Sequence, residues 1–433
     1  MREKALIIFD RITEYCLYGL ILFIPISAAA TEIFTGWAIL SFIIKKMIKP
    51  EFGFIKKLPN LFLLFFIIFC GLSLFNSGPF LKISVRALFA KWLEYIFIFL
   101  AAGDTLADSK RLRNAVTILL VMGAVVGIDV LFQQFLGIEF LRHRPLVFKK
   151  IMRIHIITGP FKHYNDLATY LVCILPLAVS LFLIKAKKKI YYVVLFLMVA
   201  LLSLCLLFTF SRGGWLGFMA AALLMLFLSR LNRRVLIIVG IFILLITLMP
   251  KARERVAYTF KTAYFQKAAS QKKKRYVGDA NRFLYWDTAF AMIKENPFLG
   301  QGVGTYMAQS SHYTPKKRKI PYAHNCYLQI WAETGIFALL SFLLFLGSIL
   351  YKAIKAFRGS CFKVQSPKDG SSGKISFAGN PYLLLGVICA IFGFLVHSFF
   401  DTQLYSLQLS VLFWVMLGMM LTAADPINLS KEK

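Results

Sequence analysis

The sequence predicts an all-α integral membrane protein, and three observations support this prediction. Hydrophobic residues make up 59% of the 433 residues, and the mean hydropathy is +0.69. Many apolar runs are about twenty residues long, which is the length that a helix needs to cross roughly 30 Å of hydrocarbon. These runs are continuous and rich in Leu and Phe, whereas the strands of a membrane barrel alternate in polarity. We therefore expect a polytopic bundle of helices.

The apolar runs divide the chain into about twelve predicted transmembrane helices. They cover residues 15–30, 33–48, 58–75, 85–102, 112–136, 166–184, 190–210, 213–228, 235–249, 326–351, 382–400 and 404–424. Helices 1–9 then lie in residues 1–249, a large outer loop containing short helices covers 250–325, and helices 10–12 lie in 326–433. Because the first run leads straight into a second one, we expect a membrane helix there and no cleavable signal peptide.

Basic residues in the connections predict the orientation of the bundle. Short basic connections at 45–57, 110–113, 185–189, 230–234 and 352–374 are expected in the cytoplasm by the positive-inside rule. Alternation of the helices then places both termini in the cytoplasm. These topology signals account for most of the formal net charge of +31, and no nucleic-acid-binding module interrupts the helices. We therefore expect no nucleic-acid partner.

Two basic loops fall on the outer side and break this rule. Residues 137–165 contain Arg142, Arg144, Lys149, Lys150, Arg153 and Lys162. Residues 250–324 include basic clusters at 272–275 and 316–319. Long loops are translocated largely regardless of charge, so the shorter loop is the stronger exception. Two explanations stay open: pairing with anionic membrane lipids, or an electrostatic funnel for a polyanionic or diphosphate-bearing substrate.

Arg212 lies in the motif Ser-Arg-Gly-Gly at 211–214, at the outer end of the apolar run 201–210. One interpretation is an arginine that reaches the membrane interface beside glycines that let helices pack closely. The functional alternative uses the planar guanidinium fork to hold phosphate oxygens. The motif by itself fits both interpretations.

Arg282 lies in the outer loop, in a segment NRFLYWDTA that predicts a short amphipathic helix at the membrane interface. A lone loop arginine is usually only solvated, so its neighbours matter. Tyr285 and Trp286 form an aromatic platform suited to a sugar ring or to the membrane edge. The glycines at 300, 302 and 304 do not indicate nucleotide binding, because no strand–turn–helix unit surrounds them.

His324 and Asn325 open the next apolar segment. Asn325 is a natural helix N-cap, and a histidine titrates near neutral pH, so His324 is a candidate to accept the proton of an attacking hydroxyl. The alternative is a histidine that only satisfies the helix terminus. No second His, Cys or carboxylate stands at ligand spacing, and no Asp-x-Asp stretch occurs in the chain. We expect no metal and no other cofactor.

Two further patches fall on the outer side of the predicted bundle. His163 and Asn165 precede the sixth helix, and Asp401 ends the segment 397–401, where the last two apolar runs meet. Ionisable residues in such places are functional candidates, although Asp401 is equally suited to cap the twelfth helix. The predicted substrate-binding residues are Asn325, Trp286, Tyr285, His163, Asn165 and Asp401.

Four blocks of sequence carry a family resemblance. They are GPFKHYNDLATYL (159–171), TFSRGGWLG (209–217), NRFLYW with NPFLGQGVGTY (281–286 and 296–306) and AHNCYLQIWAETG (323–335). In this order, and flanked by about twelve helices, they resemble the blocks of the O-antigen ligase and polymerase superfamily of bacterial envelope enzymes. The resemblance is densest from 159 to 335 and covers, through the topology, nearly the whole chain.

This resemblance implies a GT-C-like, metal-independent glycosyltransferase of the bacterial inner membrane whose active site faces the periplasm. Such enzymes take a glycan from undecaprenyl diphosphate and attach it to an acceptor sugar, which for a ligase belongs to the lipid A-core. Carried over by motif position, Arg212 and Arg282 hold the diphosphate, and His324 activates or orients the acceptor hydroxyl. Fixed guanidinium groups can stabilise a diphosphate leaving group without a divalent cation.

Three other interpretations stay open. A polymerase of the same superfamily would share the donor and take another lipid-linked glycan as acceptor. A secondary transporter would carry charges or broken helices at the membrane midplane and show inverted halves, whereas the notable residues here fall at the outer surface. A purely structural membrane protein gives no reason for the chemistry of the loop.

Overall fold

The structure is a computed structural model that describes residues 2–50, 58–149, 154–184, 189–257, 280–314, 317–365 and 380–424. Within these residues the chain is nearly all helical. The helices are α1 (Arg2–Phe23), α2 (Ala28–Ile48), α3 (Leu58–Leu72), α4 (Leu81–Ala87), α5 (Glu94–Thr105), α6 (Ser109–Leu136), α7 (Tyr164–Phe182), α8 (Lys189–Phe208), α9 (Arg212–Leu228), α10 (Arg233–Leu248), α11 (Pro250–Ala257), α12 (Ala280–Glu295), α13 (Tyr306–Tyr313), α14 (Cys326–Gln365), α15 (Pro381–His397) and α16 (Leu407–Ala423). A short antiparallel hairpin of β1 (Val147–Lys149) and β2 (Ile154–Ile156) lies between α6 and α7.

The lengths and composition of the helices make this a multi-pass membrane protein. Six described helices are long and apolar enough to cross a membrane, or seven if the bent pair of α10 and α11 counts as one span. Helices α9, α15 and α16 are apolar but have only 17 residues each. The all-α membrane class is therefore confirmed. The count of about twelve transmembrane helices and the GT-C-like architecture stay predictions.

The first predicted span has wrong boundaries. The run at 15–30 straddles a turn, because α1 ends at Phe23 and Ser27 is the N-cap of α2. Helix α1 instead begins at Arg2, and two of its acidic side chains, Asp10 and Glu14, are paired inside the bundle. The Arg111 guanidinium contacts Asp10 at 2.5 Å and Glu14 at 3.0 Å. These ion pairs allow the helix to include polar residues that a hydropathy pattern excludes.

A cluster of ion pairs ties one end of the bundle together. Lys45 Nζ lies 2.8 Å from Asp104 Oδ2 and also pairs with Asp10, which in turn pairs with Arg111. Helix α6 begins beside this cluster and runs for 28 residues to the opposite end, which we call the site end because the predicted site residues lie there. The described parts of the basic connections at 45–57 and 110–113 therefore lie away from the site end. Which compartment each end faces stays a prediction.

Helices α7 and α15 form the centre of the bundle, and most of their side chains are buried. Small residues let the helices approach closely. A Cβ added to Gly386 would lie 2.2 Å from Ser180 Oγ, and one added to Gly217 would lie 2.8 Å from the Gly393 carbonyl oxygen. This packing holds the site ends of α7, α9 and α15 next to one another.

The alternating glycines fasten the segment before α13 to the rest of the bundle. Gly300, Gly302 and Gly304 have φ values of 69°, 103° and 75°. A Cβ added to Gly300 would lie 2.4 Å from the backbone of Glu333, and one added to Gly302 would lie 2.3 Å from Ser77 Oγ. Close backbone packing in a left-handed conformation is therefore the physical reason for these glycines.

Candidate active site

His324 and Asp401 form a hydrogen-bonded pair at the site end. His324 Nδ1 donates to Asp401 Oδ1 at 2.8 Å, and the ring of Tyr285 stacks on the imidazole with centroids 5.4 Å apart. His324 has a φ of 51°, in the left-handed region that residues other than glycine rarely adopt. Its side chain is 30% exposed. Because the carboxylate occupies Nδ1, Nε2 is the nitrogen available to a substrate.

A line of hydrogen bonds runs from this pair to the start of α9. Asp401 Oδ2 accepts from Asn165 Nδ2, and Asn165 Oδ1 accepts from Ser211 Oγ at 2.8 Å. Ser211 is the N-cap of α9, since its Oγ also accepts from Gly214 N at 3.2 Å. The site ends of α7, α9 and α14 and the turn after α15 therefore share one polar network.

Asp401 stays ionised although it is largely buried. Burial by itself raises the pKa of its carboxyl group. The hydrogen bond from His324, together with the charges of His324, Arg282 and His397, outweighs burial and holds the pKa of Asp401 well below its ordinary value. A carboxylate in this position stabilises a positive charge on His324, which is what proton transfer to the imidazole requires.

The residues of the Ser-Arg-Gly-Gly motif each have a local role, and Arg212 is the first residue of α9. A Cβ added to Gly213 would lie 2.6 Å from His397 Cδ2, and one added to Gly214 would lie 2.7 Å from Ala168 Cβ. The two glycines therefore let the first turn of α9 sit directly against α7 and α15. Arg212 directly follows Ser211, the N-cap that is hydrogen-bonded to Asn165, so its backbone is held beside this network.

His397 lies under this turn and is buried. Its Nδ1 is 3.0 Å from Thr169 Oγ1, and that hydroxyl donates to the carbonyl oxygen of Asn165 at 2.8 Å. The imidazole of His397 thus supports the backbone at Asn165. The segment 397–401 contributes a packing residue at its first position and the partner of His324 at its last.

Helix α12 carries Arg282 and Tyr285 to the site. Arg282 is close enough for its positive charge to lower the pKa of Asp401. Tyr285 stacks on His324, and its carbonyl oxygen accepts from Tyr306 OH at 2.8 Å. This hydrogen bond from Tyr306 holds the backbone at Tyr285, and so positions the Tyr285 ring against the imidazole of His324.

Trp286 follows on the same helix and packs edge-on against Phe283, with ring centroids 5.8 Å apart. Its buried Nε1 has no hydrogen-bond partner among the described residues. Contact of the Trp286 ring with a substrate sugar stays a prediction.

Glu333 was missed by sequence-based prediction, and it organises the segment beside the site. Its buried carboxylate accepts four hydrogen bonds, from Gly304 N (2.9 Å), Tyr405 OH (3.0 Å), Gln329 Nε2 (3.1 Å) and Tyr306 N (3.3 Å). By holding Tyr306, Glu333 supports the position of Tyr285. An ionisable residue inside an apolar run is a functional candidate by default, and this signal was present in WAETG.

The remaining predicted residues serve as helix caps. Asn325 Oδ1 accepts from Tyr327 N and Leu328 N at 3.0 Å each, so it caps α14 as its position predicted. His163 Nδ1 accepts from Asn165 N at 3.3 Å and caps α7. Substrate contact by these residues stays a prediction.

Asp401 does not cap α16, whose N-cap is Ser406. That alternative for Asp401 is therefore wrong. The polar turn Gln403–Tyr405 separates Asp401 from the helix, so its carboxylate turns to His324 and Asn165 instead.

Parts of the basic outer loops lie outside the described residues, namely Lys150, Arg153, the cluster 272–275 and residue 316. In the part of the chain that is described, no three His, Cys, Asp or Glu side chains are grouped so that they could hold a metal ion. The absence of a cofactor stays an expectation.

One family model matches the chain, with the description O-antigen ligase, over residues 197–343. The matched region contains Arg212, Arg282 and His324. Asn165 and Asp401, which complete the network around His324, lie outside the matched residues. The comparison with curated proteins gave no match.

Proposed function

We propose that this chain is an O-antigen ligase, and the family match over residues 197–343 supports the superfamily that its motifs predict. It transfers a glycan from undecaprenyl diphosphate to a sugar of the lipid A-core on the periplasmic face of the bacterial inner membrane. The observation that carries the proposal is the His324–Asp401 pair, which lies at the site end within electrostatic range of Arg282.

His324 acts as the general base in this proposal. Its Nε2 takes the proton of the acceptor hydroxyl while the hydroxyl oxygen attacks the anomeric carbon of the donor. The bond between that carbon and the phosphate oxygen breaks, and undecaprenyl diphosphate leaves with the electron pair. Asp401 stabilises the imidazolium through Nδ1. General base catalysis contributes about a hundredfold to ten-thousandfold in rate.

Arg212 and Arg282 hold the diphosphate. The leaving group gains negative charge as the bond breaks, so fixed guanidinium groups stabilise the transition state more than the ground state. Arg212 follows Ser211, which is hydrogen-bonded to Asn165. Arg282 lies within electrostatic range of Asp401. Because arginine supplies paired donors for phosphate oxygens, we expect no requirement for a divalent metal.

The test uses purified protein in lipid nanodiscs, supplied with undecaprenyl-diphosphate-linked glycan and lipid A-core. Mass spectrometry measures the glycosylated product. Transfer should persist in excess EDTA. His324→Ala should bind donor normally and lower the transfer rate by about a hundredfold or more. Loss of activity in EDTA that magnesium or manganese restores would contradict the metal-independent mechanism, and a normal rate in His324→Ala would contradict the general base.

A polymerase of the same superfamily is the second candidate, and it differs only in the acceptor. The same assay with a second lipid-linked glycan in place of the lipid A-core separates the two functions. Glycan growth on the lipid carrier indicates a polymerase, whereas product on the lipid A-core indicates a ligase.

A further inference from the structure

A second group of cations lies near the active site, on the turns that flank the hairpin of β1 and β2. Arg142 and Lys162 are exposed, and Arg144 is half-buried. Among the described residues, none of these three side chains is in an ion pair. Their charges are therefore available to a ligand.

The turn that carries the two arginines is held by its backbone. Glu139 is buried, and its carboxylate accepts from Arg142 N at 2.7 Å and from Arg144 N at 2.9 Å. Gln133 Nε2 donates to the Arg144 carbonyl oxygen at 3.2 Å. Because the Glu139 carboxylate accepts from backbone N–H groups, it holds the turn in place without an ion pair to either guanidinium group among the described residues.

Arg142 and Arg144 lie two residues apart on this turn, and their guanidinium groups are within electrostatic range of each other. Burial and the positive charge of Arg142 lower the pKa of Arg144, although Glu139 and Asp166 favour its charged form. Two like charges within range of each other favour the binding of an anion.

The cations also lie beside the catalytic pair. Arg142 Nη1 donates to the carbonyl oxygen of Pro160 at 3.4 Å, and this contact joins the turn to the segment that leads into α7. Asp166, in the first turn of α7, is within electrostatic range of both Arg144 and Asp401. The same segment carries Asn165, which donates to Asp401. A large acceptor glycolipid whose hydroxyl sits at His324 can therefore extend along this segment towards the turn.

We propose that Arg142, Arg144 and Lys162 form an anion subsite that binds a phosphate group of the acceptor glycolipid. The arginine fork matches the spacing of phosphate oxygens, and Lys162 adds a third donor. The inference rests on the proposed function, because it names a property of that acceptor. It also gives a reason for the basic loop 137–165 on the outer side, where topology signals disfavour positive charge.

The test compares the KM for native lipid A-core with the KM for lipid A-core whose phosphate esters have been removed by hydrogen fluoride. The double variant Arg142→Gln/Arg144→Gln should raise the KM for the native acceptor roughly tenfold, since charge-assisted hydrogen bonds are lost. Its kcat and its KM for the donor should not change. With the dephosphorylated acceptor, variant and wild type should have the same KM. Lys162→Gln, which leaves the turn intact, should shift the KM in the same direction by less.

The matched control is Lys294→Gln, which removes an exposed cation from α12 and should change none of these values. An unchanged KM in the double variant and in Lys162→Gln, or an equal rise with both acceptors, would overturn the subsite. A defect that follows the phosphatidylglycerol content of the vesicles and not the acceptor phosphate would assign the cations to membrane lipid, and would also overturn it.

Direct binding of both acceptors, measured alongside, separates this inference from the proposed function. If wild-type protein transfers no glycan but binds the native acceptor more tightly than the double variant does, the proposed function fails and the subsite stands. If wild-type protein transfers glycan but binds both acceptors equally well, the subsite fails and the proposed function stands.

Discussion

Asp401→Asn removes the negative charge beside His324 and keeps the shape of the side chain. The carboxylate accepts from His324 Nδ1, Asn165 Nδ2 and Thr402 N. An amide has one acceptor oxygen, so its NH₂ group must face one of these donors. If it faces His324, the imidazole proton moves to Nε2, and that nitrogen can no longer accept a proton from the acceptor hydroxyl.

The expected magnitude follows from the lost charge. Two unit charges about 4 Å apart interact by about 4 kcal/mol at an effective dielectric constant of about 20. The bonded atoms of His324 and Asp401 are 2.8 Å apart, and the His324 side chain is 30% exposed, so solvent screens part of this interaction. Each 1.4 kcal/mol of lost transition-state stabilisation lowers the rate about tenfold. We therefore expect kcat to fall roughly a hundredfold to a thousandfold.

The assay is single-turnover glycan transfer in nanodiscs with saturating donor, with donor binding and thermal stability measured in parallel. Asp287→Asn makes the same chemical change on an exposed residue of α12 and should leave the rate unchanged. A rate for folded Asp401→Asn within roughly threefold of the wild type would refute the assignment of Asp401 as the partner of a catalytic His324.

The two arginines, one glycine and the acid limit of stability give further tests. Arg212→Lys and Arg282→Lys should each lose most activity at any salt concentration, because lysine lacks the fork that holds two phosphate oxygens; turnover at low and high salt checks this. Gly302→Ala should destabilise the protein by about 2 kcal/mol or more, because the new Cβ would lie 2.3 Å from a serine oxygen at a φ of 103°; the unfolding temperature measures it. The pKa of Asp401 is lowered from 3.8, so the stability that its carboxylate contributes is complete above that pH and is lost as the pH falls towards the folded-state pKa. The difference in unfolding temperature between wild type and Asp401→Asn should therefore be constant near neutral pH and shrink in acid.

Matched controls separate these effects from general damage. Gly347→Ala adds a Cβ with nothing within 4 Å and should leave the unfolding temperature unchanged or slightly raised. Glutamine at the lysines of 272–274 or 316–317 should cause a milder defect that fades as salt rises, because a screened surface field depends on charge and not on geometry. Near-normal turnover in both arginine-to-lysine variants would contradict a two-pronged phosphate clamp. A wild-type unfolding temperature in Gly302→Ala, or a stability difference that persists undiminished in strong acid, would contradict the other two predictions.

The membrane class and the candidate site residues were predictable from the sequence. A bilayer requires long continuous apolar runs, so hydropathy alone identifies the helical membrane class. Arg212, Arg282 and His324 stand in polar blocks next to such runs, and their side-chain chemistry can be stated without knowing where they lie in space. The role of Asn325 as a helix cap was also predictable, because capping depends only on the neighbouring two or three residues.

Only the tertiary structure decided which of these residues lie together. Asp401 is 77 positions from His324 and 236 positions from Asn165, and no local pattern records that their helix ends meet. Glu333 and the alternating glycines obtained their roles in the same way, through backbone contacts between segments that hydropathy treats separately. Hydropathy reports only whether a segment prefers lipid or water. The contacts between segments depend on how closely small residues let neighbouring helices approach, and this distance is set only when the bundle packs.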